Sequence, residues 1–368
     1  MSNTHMKNVP ELRFPGFEGE WEEKQLGNII KVNSGKDYKH LDKGDIPVYG
    51  TGGYMTSVSE PLSEIDAVGI GRKGTINKPY LLEAPFWTVD TLFYCTPKKE
   101  TDILFILSLF RKINWKVYDE STGVPSLSKQ TINKINRFVP TNKEQQKIGK
   151  FFSKLDRQIE LEEQKLELLQ QQKKGYMQKI FSQELRFKDE NGEEYPEWEN
   201  KFIKDIFIFE NNRRKPITSS LREKGLYPYY GATGIIDYVK DYLFNNEERL
   251  LIGEDGAKWG QFETSSFIAN GQYWVNNHAH VVKSNDHNLF FMNYYLNFKE
   301  LRAFVTGNAP AKLTHANLCN INLKIPCLTE QDKVSALLKS IDNKMNNQKN
   351  RIELLKERKK GLLQKMFI

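Results

Sequence analysis

The chain has 368 residues, of which 39% are apolar and 12% aromatic, so it can form two or three domains with buried cores and is not a disordered tail protein. Lys and Arg number 54 against 47 Asp and Glu, and the net charge of +7 is compatible with a polyanionic partner without requiring one. The three scattered cysteines exclude a disulfide framework and a CxxC zinc pattern.

The N-terminal segment, residues 1–20, shows no membrane-targeting signal. Residues 1–5 lack the apolar region of a signal peptide. Elsewhere, the longest apolar run extends from Ile103 to Phe110, and it is far shorter than the ~18 residues that a membrane span needs. We therefore expect a soluble, cytoplasmic protein with no membrane partner.

The first globular region, residues 21–140, belongs to a pattern that occurs twice in the chain. Glu-Leu-Arg-Phe begins both copies, at residues 11–14 and 184–187, and the copies align without gaps from Pro140 and Pro326 onward, where the period is near 185 residues. Short alternating runs and a composition rich in Gly, Tyr, Phe, Asn and Thr predict an α+β fold with many loops.

Polar and basic turns in this region are candidates for contact with nucleic acid. Lys and Arg side chains bind phosphates and guanine edges, and Asn and Gln bind adenine. The alternative for any single turn is an ordinary solvated loop. The candidate DNA-contacting residues of this region are Ser34, Lys36, Tyr38, Lys39, Thr51, Arg72 and Lys73.

Residues 69–74 match GxGxxG, the pattern of a dinucleotide site. Such a site needs a helix directly after the glycines, and Pro79 blocks that helix. In the second copy, Glu254 and Asp255 replace the two basic residues inside an otherwise shared turn. A tight turn is therefore the better interpretation of these glycines.

A long helix follows at residues 141–183, and the second copy repeats it at residues 327–368. Apolar residues recur in alternating steps of four and three over about 40 residues, or ~60 Å, as in the seam of a coiled coil. Each helix could pack only on its own domain, but two matched seams favour pairing of the helices with each other. The predicted seam residues are Ile148, Phe152, Leu155, Ile159, Leu166 and Leu169 in the first helix, and Val334, Leu338, Ile341, Met345, Ile352 and Leu355 in the second.

The second globular region, residues 184–326, carries its own set of candidate DNA contacts. Two unlike turns on one scaffold are expected of two different readers of DNA, although drift of an exposed loop would give the same pattern. His278 and His280 could form a metal pair, but a buried or hydrogen-bonded pair is the favoured interpretation. The candidates are Asn211, Asn212, Arg213, Arg214, Lys215, Thr233, Glu254, Asp255, Lys258 and Trp259.

The ends of the two helices carry the most specific signal in the sequence. Each begins with Pro followed by Glu-Gln, at residues 140–145 and 326–331, and each ends with Lys-Lys-Gly followed by Gln-Lys. With the tandem globule-plus-helix copies, these motifs resemble the specificity subunit of bacterial type I restriction-modification enzymes. The resemblance implies two pseudo-symmetric α+β target recognition domains, residues 21–140 and 184–326, joined by two long antiparallel coiled-coil spacer helices.

The resemblance also implies a function. Each domain would read one half of a gapped double-stranded DNA site, and a helix of fixed length would set the distance between the halves. In this family, two modification subunits methylate adenine N6 with S-adenosylmethionine after flipping the base out, and two motor-nuclease restriction subunits use ATP and Mg²⁺. Recognition loops vary within the family, so individual base contacts do not transfer to this chain.

Catalytic motifs and two alternative binding functions bear on this interpretation. The sequence contains no Walker loop, HExxH, GxSxG or methyltransferase motif, so we expect no catalytic residues, cofactor or metal site on this chain. A DNA-binding regulator that acts alone would share the DNA-contacting turns. A coiled-coil scaffold with sugar- or protein-binding globules would share the helices.

Overall fold

The computed structural model describes residues 8–308 and 310–368. Residues 1–7, which include the residues used to judge a signal peptide, lie outside the described part. The chain divides into two compact units. Unit 1 contains residues 8–164 and Asn350–Ile368, and unit 2 contains Lys165–Lys349. Within the described residues, no helix has the length and apolar character needed to span a membrane.

Unit 1 consists of short strands and helices followed by the first part of a long helix. Its strands are β1 Glu22–Gln25, β2 Ile30–Ser34, β3 Ile46–Gly50, β4 Gly53–Val58, β5 Ala67–Gly71, β6 Tyr80–Leu82, β7 Trp87–Thr88, β8 Leu92–Pro97 and β9 Asn136–Val139. Its helices are α1 Leu26–Ile29, α2 Ile103–Lys112, α3 Lys129–Lys134 and the start of α4 Asn142–Phe181, with a 3-10 turn at Trp115–Tyr118.

Three small sheets form the β part of unit 1. The largest has the order β2-β8-β5-β6, a second has the order β4-β3-β7, and β1 pairs with β9. All five residues of β5 are buried because this central strand is covered on both faces. Helix α2 packs into the main core, and Asp102 caps it by accepting a hydrogen bond from the Phe105 backbone N–H.

Unit 2 repeats this order of elements. Its strands are β10 Glu199–Phe202, β11 Ile208–Phe209, β12 Lys224–Gly231, β13 Gly234–Val239, β14 Arg249–Gly253, β15 Ser266–Ala269, β16 Trp274–Val275, β17 Ala279–Lys283 and β18 Asn322–Ile325. Its helices are α5 Ile203–Ile206, α6 Leu289–Phe298, α7 His315–Cys319 and the start of α8 Leu328–Met366, with 3-10 turns at Asn211–Arg213, Ser219–Leu221 and Arg302–Phe304.

The sheets of unit 2 have the same topology as those of unit 1. Their orders are β11-β17-β14-β15, β13-β12-β16 and β10-β18. In both units a two-residue strand that begins with Trp lies parallel to the first hairpin strand, as β7 does on β3 and β16 on β12. The repeat in the sequence is therefore a repeat of one α+β fold.

The two long helices contain 40 residues in α4 and 39 in α8, and they lie inside the segments 141–183 and 327–368 that the sequence predicted. All twelve predicted seam residues are buried or half-buried, whereas most positions between them are exposed. In unit 1, Ile148 and Phe152 join one core with Met366 and Phe367. In unit 2, Val334, Leu338 and Ile341 pack in the same core as the end of α4.

Within each unit the two helices run antiparallel. In unit 1, Glu163 pairs with Lys356 at 2.6 Å and Glu162 with Arg351 at 2.8 Å, while Asp156, earlier in α4, pairs with Lys359, later in α8. In unit 2, Lys173 pairs with Asp342 at 2.6 Å. These ion pairs between the helices help to fix their register.

The repeated Glu-Gln motif explains how each long helix is attached to its unit. The Gln145 amide donates to the Pro140 carbonyl at 2.9 Å, and its oxygen accepts the Asp102 backbone N–H at 3.1 Å. Gln331 makes the equivalent hydrogen bonds to Pro326 and Asn288, both at 2.9 Å. The motif thus ties the start of each long helix to the cap of a neighbouring helix.

The Glu of the motif forms a buried ion pair with the Arg of Glu-Leu-Arg-Phe. Arg13 lies 2.7 Å from Glu144, and Arg186 lies 2.8 Å from Glu330. Both carboxylates are only 1% exposed. Each guanidinium also donates to backbone carbonyls, so the pair is fully hydrogen-bonded despite its burial.

Candidate nucleic-acid interface

In unit 1 the candidate residues converge on the connecting loop Thr88–Thr91. The Lys36 backbone N–H donates to the Thr88 carbonyl at 2.8 Å, and the Val89 N–H donates to Tyr49 in the β3–β4 hairpin at 3.0 Å. The Arg72 N–H donates to the Thr91 carbonyl at 2.8 Å. We call the turn 34–39, the hairpin turn 50–55, the turn 71–74 and the loop 88–91 the first loop cluster.

The side chains of the first loop cluster present positive charge at the surface. Lys36, Lys39, Arg72 and Lys73 are all exposed. Arg72 lies over the Phe93 ring, with 5.9 Å from its guanidinium carbon to the ring centroid, and donates to the Asp90 carbonyl at 3.4 Å. Its guanidinium is therefore held in place by an aromatic face while it stays open to an anion.

The remaining candidates of unit 1 are less exposed. Tyr38 packs against the small core that contains Val48 and Trp87. Ser34 is half-buried at the end of β2, and Thr51 is half-buried in the hairpin turn. These three residues support the loops more than they extend from them.

A further segment of this surface was not found from the sequence. The Gly74 N–H donates to the Pro125 carbonyl at 2.8 Å, and the Leu127 N–H donates to the Arg72 carbonyl at 2.9 Å. Residues 122–125 are exposed beside the charged turn. A Thr-Gly dipeptide followed by Leu recurs at residues 306–313, and this repeat could have drawn attention to both segments.

In unit 2 the candidates converge in the same way on the connecting loop 275–278. The Lys215 N–H donates to the Val275 carbonyl at 3.1 Å, and the Asn276 N–H donates to Tyr230 in the β12–β13 hairpin at 3.0 Å. The Glu254 N–H donates to the His278 carbonyl at 2.8 Å. The turns 211–215, 231–236 and 253–256 and the loop 275–278 form the second loop cluster.

Both carboxylates of the second loop cluster, Glu254 and Asp255, form ion pairs. Arg214 lies 2.7 Å from Glu254, and its guanidinium also donates to the Ala279 carbonyl at 2.9 Å. Asp255 lies 2.5 Å from the His278 Nδ1 and 3.3 Å from the Lys312 Nζ. This surface therefore offers carboxylates and a histidine where the first cluster offers single cations.

Arg213 belongs to an ion-pair network behind the second loop cluster. It lies 2.7 Å from Glu247 and 4.1 Å from the centroid of the Phe244 ring, and Glu247 also pairs with Arg249. The hydrogen bond from Arg213 lowers the pKa of Glu247 to about 2. Arg213 is thus paired with residues of its own unit, and we assign it a role in stabilising the loop.

His280 is buried and hydrogen-bonded, whereas His278 lies just before β17 and is half exposed. The His280 Nε2 donates to the Leu313 carbonyl at 2.8 Å, and its Nδ1 accepts from the Asn211 amide at 3.1 Å. Burial lowers the pKa of His280 and favours the neutral ring. The strand registers show that Phe93 occupies the equivalent position in unit 1, since His280 pairs with Ile252 as Phe93 pairs with Ile70.

The other candidates of unit 2 divide into exposed and buried residues. Asn212, Lys215, Thr233 and Lys258 are exposed. Trp259 is 7% exposed, and its indole N–H donates to the Gly253 carbonyl at 3.2 Å inside the main core. The burial of this apolar ring leaves it no surface for DNA, so we assign it to the core.

The repeated glycine turn is a tight turn and not a dinucleotide site. Gly74 and Gly256 end the turns with φ of +88° and +72°, a conformation that favours glycine. In unit 1 the next regular element is strand β6, so no helix follows to bind a pyrophosphate. Among the described residues, no group of three or more His, Cys, Asp or Glu side chains is arranged to hold a metal ion.

Two copies of one α+β fold with unlike loop clusters, each anchored to a long helix, define a duplicated protein with two different candidate binding surfaces. The model of the type I restriction modification DNA specificity domain matches residues 18–171 and again residues 195–357. The chain therefore belongs to this family.

Curated relatives carry the same family name. One protein of Haemophilus influenzae, named as a type I restriction enzyme specificity subunit, is 40% identical over 39% of this chain and 37% of its own length. The MjaX specificity subunit of Methanocaldococcus jannaschii is 24% identical over 71% of this chain and 65% of its own length. The matched region thus spans less than two thirds of each of these relatives.

Solved structures share the fold over nearly the whole chain. The S subunit of a type I restriction-modification system from M. genitalium is 16% identical, with a TM-score of 0.71 over 98% of this chain and 99% of that chain. A chain from a study of complex assembly and conformational transition in a type I system is 15% identical, with a TM-score of 0.52 over 96% and 98% of the two chains.

Proposed function

We propose that this chain is the noncatalytic DNA-recognition subunit of a type I restriction-modification complex. Residues 21–140 and 184–326 form its two target recognition domains, and each reads one half of a gapped double-stranded DNA site. The observation that carries the proposal is the pair of loop clusters, which share backbone geometry and differ in charge. A protein that read the same sequence twice would have no reason to replace Arg72 and Lys73 by Glu254 and Asp255.

The side chains present match the chemistry of DNA recognition. Lysines and arginines such as those of the first loop cluster bind phosphates and the O6 and N7 atoms of guanine. Carboxylates such as Glu254 accept hydrogen bonds from the cytosine amino group, and Asn212 and Asn276 can pair with adenine. The two clusters are therefore suited to different base sequences.

The chemistry of modification and cleavage belongs, in this proposal, to partner subunits in the cytoplasm. Two modification subunits bring S-adenosylmethionine and methylate adenine N6, and two restriction subunits bring ATP and Mg²⁺. This chain supplies neither cofactor. The solved relative that comes from a study of complex assembly supports the existence of such partners.

The proposal is tested with the full chain copurified with its modification subunit. We expect methylome sequencing of a host that expresses both to give a two-part motif, and a duplex carrying that motif to bind with a steep log-log dependence on salt. Salt-independent binding would favour a scaffold that binds proteins or sugars. Tight specific binding by the chain alone, without any association with the modification subunit, would favour a regulator that acts by itself.

A further inference from the structure

Both units expose large apolar side chains at the same place, on the second strand of the hairpin in each loop cluster. In unit 1 these are Tyr54 and Met55, which are 64% and 52% exposed. In unit 2 they are Ile235 and Ile236, which are 46% and 49% exposed. Single exposed apolar residues are common, but a pair at an equivalent position in each of two diverged copies calls for a physical reason.

A glycine on the first hairpin strand determines how these side chains lie. In unit 1 a β-carbon on Gly50 would come 2.6 Å from the Met55 sulfur, and in unit 2 one on Gly231 would come 3.0 Å from an Ile236 methyl. Any larger residue would force the Met55 or Ile236 side chain to shift. In both units the glycine therefore leaves room for an apolar side chain of the second hairpin strand to lie over the first strand at the surface.

The same glycine brings the connecting loop to the apolar side chain. A Val89 methyl lies 3.5 Å from the β-carbon position of Gly50, and the Asn276 amide nitrogen lies 3.5 Å from that of Gly231. The apolar pairs are thus part of the loop clusters and lie beside the polar groups that carry the proposed base contacts. We call Tyr54 and Met55, and Ile235 and Ile236, the apolar pairs.

We propose that the apolar pairs contact thymine 5-methyl groups in the major groove, an inference that rests on the proposed function. The thymine methyl is the one apolar group that a base edge presents in that groove, and aliphatic or aromatic side chains recognise it by contact. If adenine is the modified base, each half-site contains at least one A·T pair. Each loop cluster would then find a methyl group within its own half-site.

The differences between the two pairs favour DNA over a protein partner shared by both units. A subunit that bound both units in the same way would select the same side chains at equivalent positions. Instead, Tyr54 and Met55 are replaced by Ile235 and Ile236, while the glycine and the hairpin are retained. Replacement of one apolar pair by another of different shape is expected where the two half-sites place their methyl groups differently.

The experiment replaces each thymine of the native site by uracil, which lacks only the 5-methyl group. The full chain is used with its modification subunit, and binding to each duplex is measured by fluorescence anisotropy. We expect at least one uracil in each half-site to weaken binding about fourfold, the effect of leaving one methyl-sized group unburied. Met55→Ala and Ile236→Ala should each abolish this discrimination in one half-site only.

Controls separate this inference from effects on folding. Val117→Ala in unit 1 and Leu328→Ala in unit 2 remove exposed apolar groups outside the loop clusters and should leave the thymine-to-uracil ratio unchanged. Tyr54→Ala and Ile235→Ala provide a second variant of each pair, and Ile236→Val should retain discrimination. All variants should keep the wild-type unfolding midpoint.

The outcomes distinguish the inference from the proposed function. If the wild type binds its site specifically but Met55→Ala and Ile236→Ala keep the wild-type ratio, the apolar pairs do not read methyl groups. If these variants lose only the modification subunit during copurification, the pairs bind protein and the inference is wrong. If the wild type shows no preference for any DNA sequence, the proposed function itself is contradicted.

Discussion

The first and second loop clusters have the same backbone connections, but the charge of the turn after the central strand is reversed, from Arg72 and Lys73 to Glu254 and Asp255. In each, the turn after the central strand donates to the connecting loop, through Arg72 in one unit and Glu254 in the other. In the first cluster Arg72 lies over Phe93, and in the second Glu254 pairs with Arg214. The comparison shows that the fold fixes where the loops lie, while the side chains on them are free to change.

The helix attachments give the opposite result. The ion pairs of Glu144 and Glu330 and the hydrogen bonds of Gln145 and Gln331 are the same in both units, down to the partner residue types except for one cap residue. Helix attachments that are the same in both units, combined with loop clusters that differ, are expected of a scaffold that has one assembly role and two recognition roles. The following predictions test that division.

The largest effect is expected at the helix seam. Leu155→Asp together with Ile341→Asp places a carboxylate in the seam of each unit, and we expect the free energy of unfolding to fall by about 5 kcal/mol. Urea denaturation followed by circular dichroism measures the change. Leu161→Asp and Leu168→Asp, on the exposed face of α4, are the matched controls and should change stability by less than about 1 kcal/mol.

The buried ion pairs should matter equally in both units. Glu144→Ala and Glu330→Ala each leave a guanidinium without its carboxylate, and we expect a loss of about 3 kcal/mol from either. Glu160→Ala, which breaks an exposed pair with Arg157, should cost less than about 0.5 kcal/mol. A large difference between the first two variants would contradict the view that both units share one frame.

The first loop cluster should contribute to DNA binding without contributing to stability. Arg72→Ala with Lys73→Ala should weaken binding to the native duplex by about tenfold to a hundredfold and reduce the slope of the salt dependence. Lys150→Ala, an exposed residue of α4 outside the cluster, is the control in a binding titration at several salt concentrations. Equal losses from both variants would mean that the cluster acts only through its net charge.

The smallest effect concerns pH and belongs to unit 2 alone. The pKa of Glu247 is about 2 in the folded protein, below its usual value, so its ionised form stabilises the fold at neutral pH. That contribution falls as the pH drops from ~4.3 toward 2. Glu247→Gln should therefore lose about 1 kcal/mol at pH 7 and show a weaker dependence of stability on pH, as measured by denaturation between pH 3 and 7. Glu223→Gln, at an exposed pair, is the control.

The sequence predicted the repeated parts of this molecule well and the loop surfaces less well. Apolar periodicity predicted which positions of the long helices are buried, because burial on a helix follows a fixed period that a sequence displays directly. It could not place Trp259 in the core or Arg213 in an ion-pair network, since those environments depend on contacts between distant segments. The connecting loops 88–91 and 275–278 were missed because their role comes from backbone hydrogen bonds, which almost any residue type can form.

In this proposal, one repeated fold carries two target recognition domains that bind their DNA sequences independently. Methylome sequencing tests it directly when a host expresses the modification subunit with either the wild-type chain or the Arg72→Ala, Lys73→Ala variant. We predict a gapped two-part motif for the wild type and a change in one part alone for the variant. A continuous motif, or a variant that alters both parts or neither, would contradict the claim.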